Sequence, residues 1–265
     1  MDAIFRQLFM RVPQKEQNEI FLFGNENDGD CFEENDFDLW RAKIFYNKWR
    51  TKKFLKNAIS RNLLNQIINN HEHVIDIACG PGMGLIPSIK QLNPLFLCMA
   101  SDANSFVLNE WQSYLEQNEI YHNIDFAQFS LFNIPIKSNI VQAYSSFNGI
   151  SSTRNGEEGY RLALSEIHRT LDKNGFFYTI ENEWRDVSTI LSVFERKKQQ
   201  PWSCFCEKQL SWHERFIQNG FEIVYEEPFE YRSLQDYDNE LGMMADELGV
   251  DIGVNSICYI VKKFN

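Results

Sequence analysis

From residue 73 onward, short apolar runs alternate with stretches whose apolar positions recur at helical spacing. Val74, Ile75 and Ile77 form a brief apolar run, and Leu85–Leu92 follows with the spacing of a helix. Leu95–Ser101 is fully apolar, as suits a strand buried on both faces, and Ala103–Glu116 reads as the next helix. Further strands are expected at His122–Phe129, Asn139–Phe147, Phe176–Ile180, Phe221–Tyr225 and Ser256–Val261. Helices are expected at Gly159–Leu171, closed by Asp172-Lys173-Asn174-Gly175 as a glycine stop, and at Val187–Arg196 and Glu207–Asn219. Strands alternating with helices predict an α/β, doubly wound sheet. Ligands of such sheets bind at the carboxyl ends of the strands.

The segment before residue 71 has a different character. Glu26–Asp38 is acidic, rich in asparagine, and reads as a solvated loop. Leu39–His71 carries eight bases and no acid, with apolar residues near a 3.6 period, and reads as one or two amphipathic helices. Their basic face either lies beside an acidic core or belongs to a lid, Leu39–Ile67, that holds an anionic group through Tyr46, Trp49 and Arg50. The expected division is therefore 1–70, an N-terminal segment with a helical cap, and 71–265, a core with an acidic insertion at 226–251. That insertion is longer than a hairpin needs and is left to pack on the cap or on a partner subunit, a homodimer being one arrangement.

Composition narrows the class. The 265 residues suffice for a large core, and 43% hydrophobic and 14% aromatic residues describe a globular chain. A net charge of −11 weighs against a nucleic-acid partner. No apolar run approaches a membrane span and no signal peptide is indicated, so the expected place is the cytoplasm. Cys79, Cys98 and Cys258 read as small apolar fillers, and Cys31, Cys204 and Cys206 lack the spacing of a zinc site.

The chemistry concentrates in Asp76-Ile77-Ala78-Cys79-Gly80-Pro81-Gly82-Met83-Gly84. A dinucleotide fingerprint would need glycine at Leu85, and a phosphate-cradling loop would need Gly-Lys-Ser/Thr. The run instead resembles motif I of class I S-adenosylmethionine (SAM)-dependent methyltransferases, D-x-G-x-G-x-G, with Ala78 at the first glycine. Asp102, twenty residues beyond Gly82, stands where that family carries an acid at the tip of the second strand. Phe129 to Ile136 resembles the stretch that lines adenine, with Ser130 in place of the acid. Glu166 to Phe176 resembles the E-I-x-R-V-L-K-P-G-G stretch of small-molecule methyltransferases related to the quinone-biosynthesis enzymes.

The resemblance covers roughly 70 to 225 plus the last strand. It implies a Rossmann-like, mostly parallel seven-stranded sheet with strand 7 antiparallel and an N-terminal helical cap. It implies SAM as cofactor, held by Asp76, Ala78, Cys79, Gly80, Pro81, Gly82, Asp102, Ala103, Phe129, Ser130, Leu131 and Phe147. Asp76 would orient the amino group, Asp102 the ribose hydroxyls, and Ala78 would ask only for a little more room. The implied activity is methyl transfer to a small-molecule acceptor. Glu181 and Tyr46 are candidate proton acceptors, and Trp184 is a further pocket candidate at the same strand end. The Asp/Asn-Pro-Pro-Tyr/Phe tetrapeptide is absent after the fourth strand, which argues against adenine, cytosine or protein-glutamine methylation. The missing acids at Ser130 and Val141 leave open a SAM-binding protein without turnover, acting as a partner or regulatory subunit. RNA methylation guided by the basic segment is the weaker alternative.

Overall fold

The computed structural model describes residues 2–17, 19–24, 50–153, 155–201, 205, 210–236 and 240–264. In chain order these form α1 (Ala3–Leu8), β1 (Lys15–Gln17), β2 (Ile20–Leu22), α2 (Ala58–Asn70), β3 (His73–Ile77), α3 (Ile86–Leu92), β4 (Leu97–Asp102), α4 (Ser105–Gln117) and β5 (Ile124–Gln128). They continue as β6 (Val141–Phe147), α5 (Gly156–Thr170), β7 (Leu171–Trp184), α6 (Val187–Arg196), α7 (Trp212–Gln218), β8 (Phe221–Ser233), α8 (Glu240–Glu247) and β9 (Gly253–Lys263). Residues 50–56 are also helical and lead through Asn57 into α2.

The elements build one sheet in the order β1-β2-β5-β4-β3-β6-β7-β9-β8. β2, β5, β4, β3, β6 and β7 run parallel, and β9 pairs antiparallel with both β7 and β8. The sheet has nine strands where seven were expected. The additional pair, β1 and β2, is only three residues per strand, too short for a period to register. β2 takes its place by pairing Ile20, Phe21 and Leu22 with Phe126, Ala127 and Gln128 of β5.

Alternation along each strand feeds two cores. On β3, Val74 joins Leu63, Ile67, Ile86 and Trp111 on one face, while Ile75 and Ile77 join Phe21, Tyr144, Ile167 and Trp212 on the other. Lys90 is buried on α3 and donates its ammonium protons to the carbonyls of Phe96 and Asn123, fastening the helix end to the entry of β4. A third, smaller cluster joins α6 to α8 through Ile190, Phe194, Leu241 and Ile252.

Two expected boundaries move. α5 stops at Thr170, and Gly175 lies inside β7, where a Cβ would meet Val141 O at 2.6 Å. That glycine permits close strand approach and is no helix stop. The acidic stretch after Tyr225 is largely regular: β8 runs on to Ser233 against β9, and α8 follows. Its Phe229 and Glu230 reach the helical residues 50–56, and α8 packs on α6. Residues 25–49, with the expected acidic loop and the first half of the cap, lie outside the described residues, as do Cys204 and Cys206.

Candidate functional site

The sheet reverses its winding between β3 and β6, so the carboxyl ends of β3, β4 and β6 converge at the position where doubly wound sheets bind ligands. Asp76, on β3, is fully buried. Its Oδ2 accepts from Leu85 N–H at 3.0 Å and its Oδ1 from Ser145 Oγ at 2.7 Å. α3 lacks a side-chain cap of its own, and the Asp76 carboxylate supplies one from across the turn. Burial pushes its pKa up to about 7, against the opposing pull of Ser145 and the N–H groups of Ile86 and Leu85. Gly84 makes this geometry accessible, because a Cβ there would overlap the Asp76 carboxylate. Asp76 therefore holds the turn shut from below.

The turn itself is tightly internal. Cys79 N–H donates to Ser101 O at 3.0 Å, Gly82 N–H to Gly80 O at 2.8 Å and Met83 N–H to Cys79 O at 3.0 Å. Cys79 and Pro81 are buried, and burial holds the Cys79 thiol well above its ordinary pKa. Gly82 has φ +75°, and a Cβ there would overlap the indole of Trp111 on α4. On its Cα side the turn therefore packs directly on a tryptophan. Ala78 has φ +48°, so the glycine usual at this point is wanted for its left-handed backbone and not merely for room. The methyl group is housed by Gly149, whose own Cβ would meet it at 2.9 Å.

Asp102 ends β4 half-buried. Its Oδ2 accepts from Gly80 N–H at 2.9 Å and its Oδ1 from Asn104 N–H at 3.0 Å. Asn104, not Asp102, caps α4, by accepting from Phe106 and Val107 N–H. Desolvation raises the Asp102 pKa, while the N–H groups of Asn104, Gly80 and Ala103 oppose it. A carboxylate offers about four acceptor sites. The N–H contacts leave Asp102 able to accept a further hydroxyl donor. Ala103 is half-buried beside it, its carbonyl accepting from Gln128 Nε2 at 2.9 Å.

At the tip of β6, Phe147 is half-buried, and Asn148 follows with φ +55°. Asn148 Oδ1 is buried without a partner among the described residues, an arrangement that costs about 1–3 kcal/mol unless something completes it. Glu181, on β7, is fully buried and accepts from Thr179 Oγ1 at 2.7 Å and from Ser151 N–H at 2.9 Å. Burial raises its pKa. The structure thus gives Glu181 the task of positioning the loop after β6. Trp184 lies further along β7, half-buried and stacked edge-on against Phe205 at 5.0 Å.

The helical residues 50–56 cross this edge. Arg50 Nη1 donates to Met83 O at 3.2 Å, and its guanidinium sits 4.8 Å from the Phe147 ring centroid. Phe54 is buried between Phe147 and Phe229, at 5.0 and 5.6 Å between ring centroids. Arg50 is thus brought to the site. Tyr46 and Trp49 lie outside the described residues.

Phe129 and Leu131 are buried in the inner core, their surface largely spent on packing. Ser130 is half-buried, and its Oγ accepts from Phe132 N–H at 3.2 Å. This loop is anchored by the Glu166–Arg169 pair of α5: Ile134 N–H donates to Glu166 Oε2 at 2.9 Å, and Arg169 donates to the carbonyls of Ile134 and Ile136 at 2.7 and 2.9 Å. The sequence pattern does not single out Trp111, Ser145 and Gly149, whose roles depend on contacts between distant segments. Among the described residues no group of His, Cys, Asp or Glu is arranged to hold a metal ion.

The chain matches no protein-family model and no curated protein sequence. Solved structures do resemble it. A protein described as a candidate methyltransferase from Bacillus halodurans superposes with a TM-score of 0.55 at 15% identity, over 76% of this chain and 99% of that one. A SAM-dependent methyltransferase from Methanosarcina mazei gives 0.51 at 14%, over 74% and 96%. Geranyl diphosphate methyltransferase, solved with GPP and sinefungin, gives 0.51 at 12%, over 77% of each chain. At such identities the likeness establishes the fold: an α/β, Rossmann-like architecture shared with SAM-dependent methyltransferases.

Proposed function

We propose that this protein is a methyltransferase that takes its methyl group from SAM and passes it to a small-molecule acceptor. The observation that carries this reading is Asp102, fixed by two N–H groups beside the glycine turn with acceptor capacity to spare. A diol such as a ribose suits that carboxylate. The buried, unsatisfied Asn148 Oδ1 marks a second polar position at the same edge, where a donor from either ligand would complete it.

SAM supplies an activated methyl group, so the protein contributes mainly alignment and exclusion of water. Asp76 and Ser145 fix the turn from below, Asp102 orients the sugar, and Arg50, Phe54 and Phe147 close the edge. The resemblance of Glu166–Phe176 to the quinone-biosynthesis type supports a small acceptor. Buried, unpaired Cys79, Cys98 and Cys258 suit a reducing cytoplasm, and no described helix is long and apolar enough to cross a membrane.

Titration calorimetry with S-adenosylhomocysteine tests the reading. Micromolar or tighter binding is expected, weakened roughly 10- to 100-fold by Asp102→Ala. Unchanged affinity in that variant would remove the ribose assignment. A second reading, a SAM-binding partner protein without turnover, draws on the enclosure of Glu181, whose oxygens are committed to Thr179 and the 150–151 backbone. Methylated product in cell extract supplied with labelled SAM would dismiss it.

A further inference from the structure

We propose that the Arg232 guanidinium, held by Asn182 near the end of β7, anchors a carboxylate of the methyl acceptor. This rests on the methyl-transfer reading above and narrows the acceptor to a small carboxylic acid with an apolar body.

Strand register brings the group to the site. Phe147 at the tip of β6 pairs with Ile180 on β7, and β7 runs four residues further, to Trp184. Side chains alternate, so Ile180, Asn182 and Trp184 share one face, the face on which Phe54 packs. Asn182 stands one strand over from Phe147, about 5 Å, and two residues beyond it, about 7 Å. Arg232 lies on β8 in register with Val254 of β9, yet its Nη2 donates to Asn182 Oδ1 at 2.6 Å. Its side chain therefore crosses β9 and delivers the guanidinium beside the ligand edge. Ser256, on the strand that is crossed, donates to the same Oδ1 at 2.7 Å. Both lone pairs of that oxygen are used, which fixes the amide and the guanidinium against it.

What the guanidinium lacks is an anion. Of its five N–H donors, one is given to Asn182. Arg232 is half-buried, while its Nε is wholly buried and has no acceptor among the described residues. Glu230, two residues back on the same face, pairs with Lys53 instead. Glu181 is turned to the opposite face, toward Thr179 and the backbone of Ser151. The neutral amide of Asn182 leaves the positive charge unbalanced, and a buried charged donor without an acceptor is costlier than a neutral one. A carboxylate fits the planar fork through two parallel N–H donors. Phe147 and Trp184, both half-buried, bracket Asn182 along the edge and offer apolar surface to the rest of such a molecule.

Titration calorimetry of the full chain with 3-phenylpropionate, and with its amide, tests this in the presence and absence of S-adenosylhomocysteine. The carboxylate is expected to bind, and the amide at least 10-fold more weakly. Arg232→Gln is expected to weaken the carboxylate at least 10-fold. Asn182→Asp separates an anion site from a mere strand tie, because the substituted carboxylate neutralises Arg232 in place. Its melting temperature is expected to hold or rise while 3-phenylpropionate affinity falls at least 10-fold. Absence of carboxylate binding, equal binding of the amide, or full affinity in Asn182→Asp would overturn the anchor. A 10-fold loss of S-adenosylhomocysteine affinity in Arg232→Gln, with 3-phenylpropionate unaffected, would give the guanidinium to the cofactor and overturn the acceptor role. Tighter binding of phenyl phosphate would overturn the carboxylate assignment. Carboxylate binding by a protein that ignores S-adenosylhomocysteine would overturn the acceptor role alone and would mark failure of the methyl-transfer reading.

Discussion

The backbone N–H of Gly80 donates to Asp102 Oδ2 at 2.9 Å, joining the turn after β3 to the tip of β4. One carboxylate thereby fixes the turn and faces the ligand edge. In Asp102→Asn the charge disappears, and one of the two N–H donors is left facing an amide nitrogen. The expected cost is about 1–3 kcal/mol, with faster hydrogen exchange at the Gly80 amide. Wild-type protection at that amide would show that the contact does not hold the turn.

Gly82 and Trp111 form a second coupled pair. Gly82→Ala both places a Cβ in the indole and imposes φ +75° on alanine, for an expected loss of about 3 kcal/mol in urea unfolding. In a Trp111→Leu background the same substitution is expected to cost only about 1 kcal/mol, the backbone share. Equal costs in both backgrounds would refute the packing account.

Ala78 offers the opposite case, a side chain that strains its own backbone. Ala78→Gly relieves a left-handed alanine worth about 1–2 kcal/mol and returns part of it as chain entropy. A melting temperature about 2 °C above wild type is expected. A fall would mean that the methyl group packed against Gly149 outweighs the strain.

Stability should depend on pH with two opposing signs. Asp76 has its pKa raised by burial from 3.8 to about 7, so its share of stability is complete below 3.8 and is lost as pH rises through 7. His71, which contacts Tyr178 Oη at 2.8 Å, is lowered from 6.5 to about 4 by burial and secondarily by His73. Its share is complete above 6.5 and is lost as pH falls through 4. Above pH 6.5 the His71 share is complete, and Asp76 contributes about 1 kcal/mol of loss by pH 8, in the same direction as the buried carboxyls Asp102 and Glu181. Urea midpoints should decline across that interval in the wild type and decline less steeply in Asp76→Asn; an unchanged slope in the variant would assign it elsewhere.

What could be read from the chain and what could not divide by distance along it. The β3 turn, Asp102 and most of the strands announce themselves through local apolar runs and glycines. Asp76 was legible as an important acid, but its partners, Leu85 nearby and Ser145 on β6, turn it inward toward the helix end. Gly82 was legible as a special glycine, while its neighbour Trp111 sits on another helix. The β1–β2 pair and the long β8 escaped because a three-residue strand has no period and an acidic strand at a sheet edge resembles a loop. Glu181 was found as a strand-tip acid, and only packing reveals that its oxygens already have donors.

The parallel pairing of β2 with β5 has a consequence for biosynthesis. Ile20, Phe21 and Leu22 are translated on the order of a hundred residues before Phe126, Ala127 and Gln128, to which they bind. At ribosomal speeds that is a wait of roughly 5 to 20 s. Throughout it Phe21 and Phe23, both buried in the finished protein, stay without their final neighbours on the nascent chain. The hairpin at the sheet's edge is therefore made well before the strand on which it docks, and its apolar side chains must be kept from other partners in the interval.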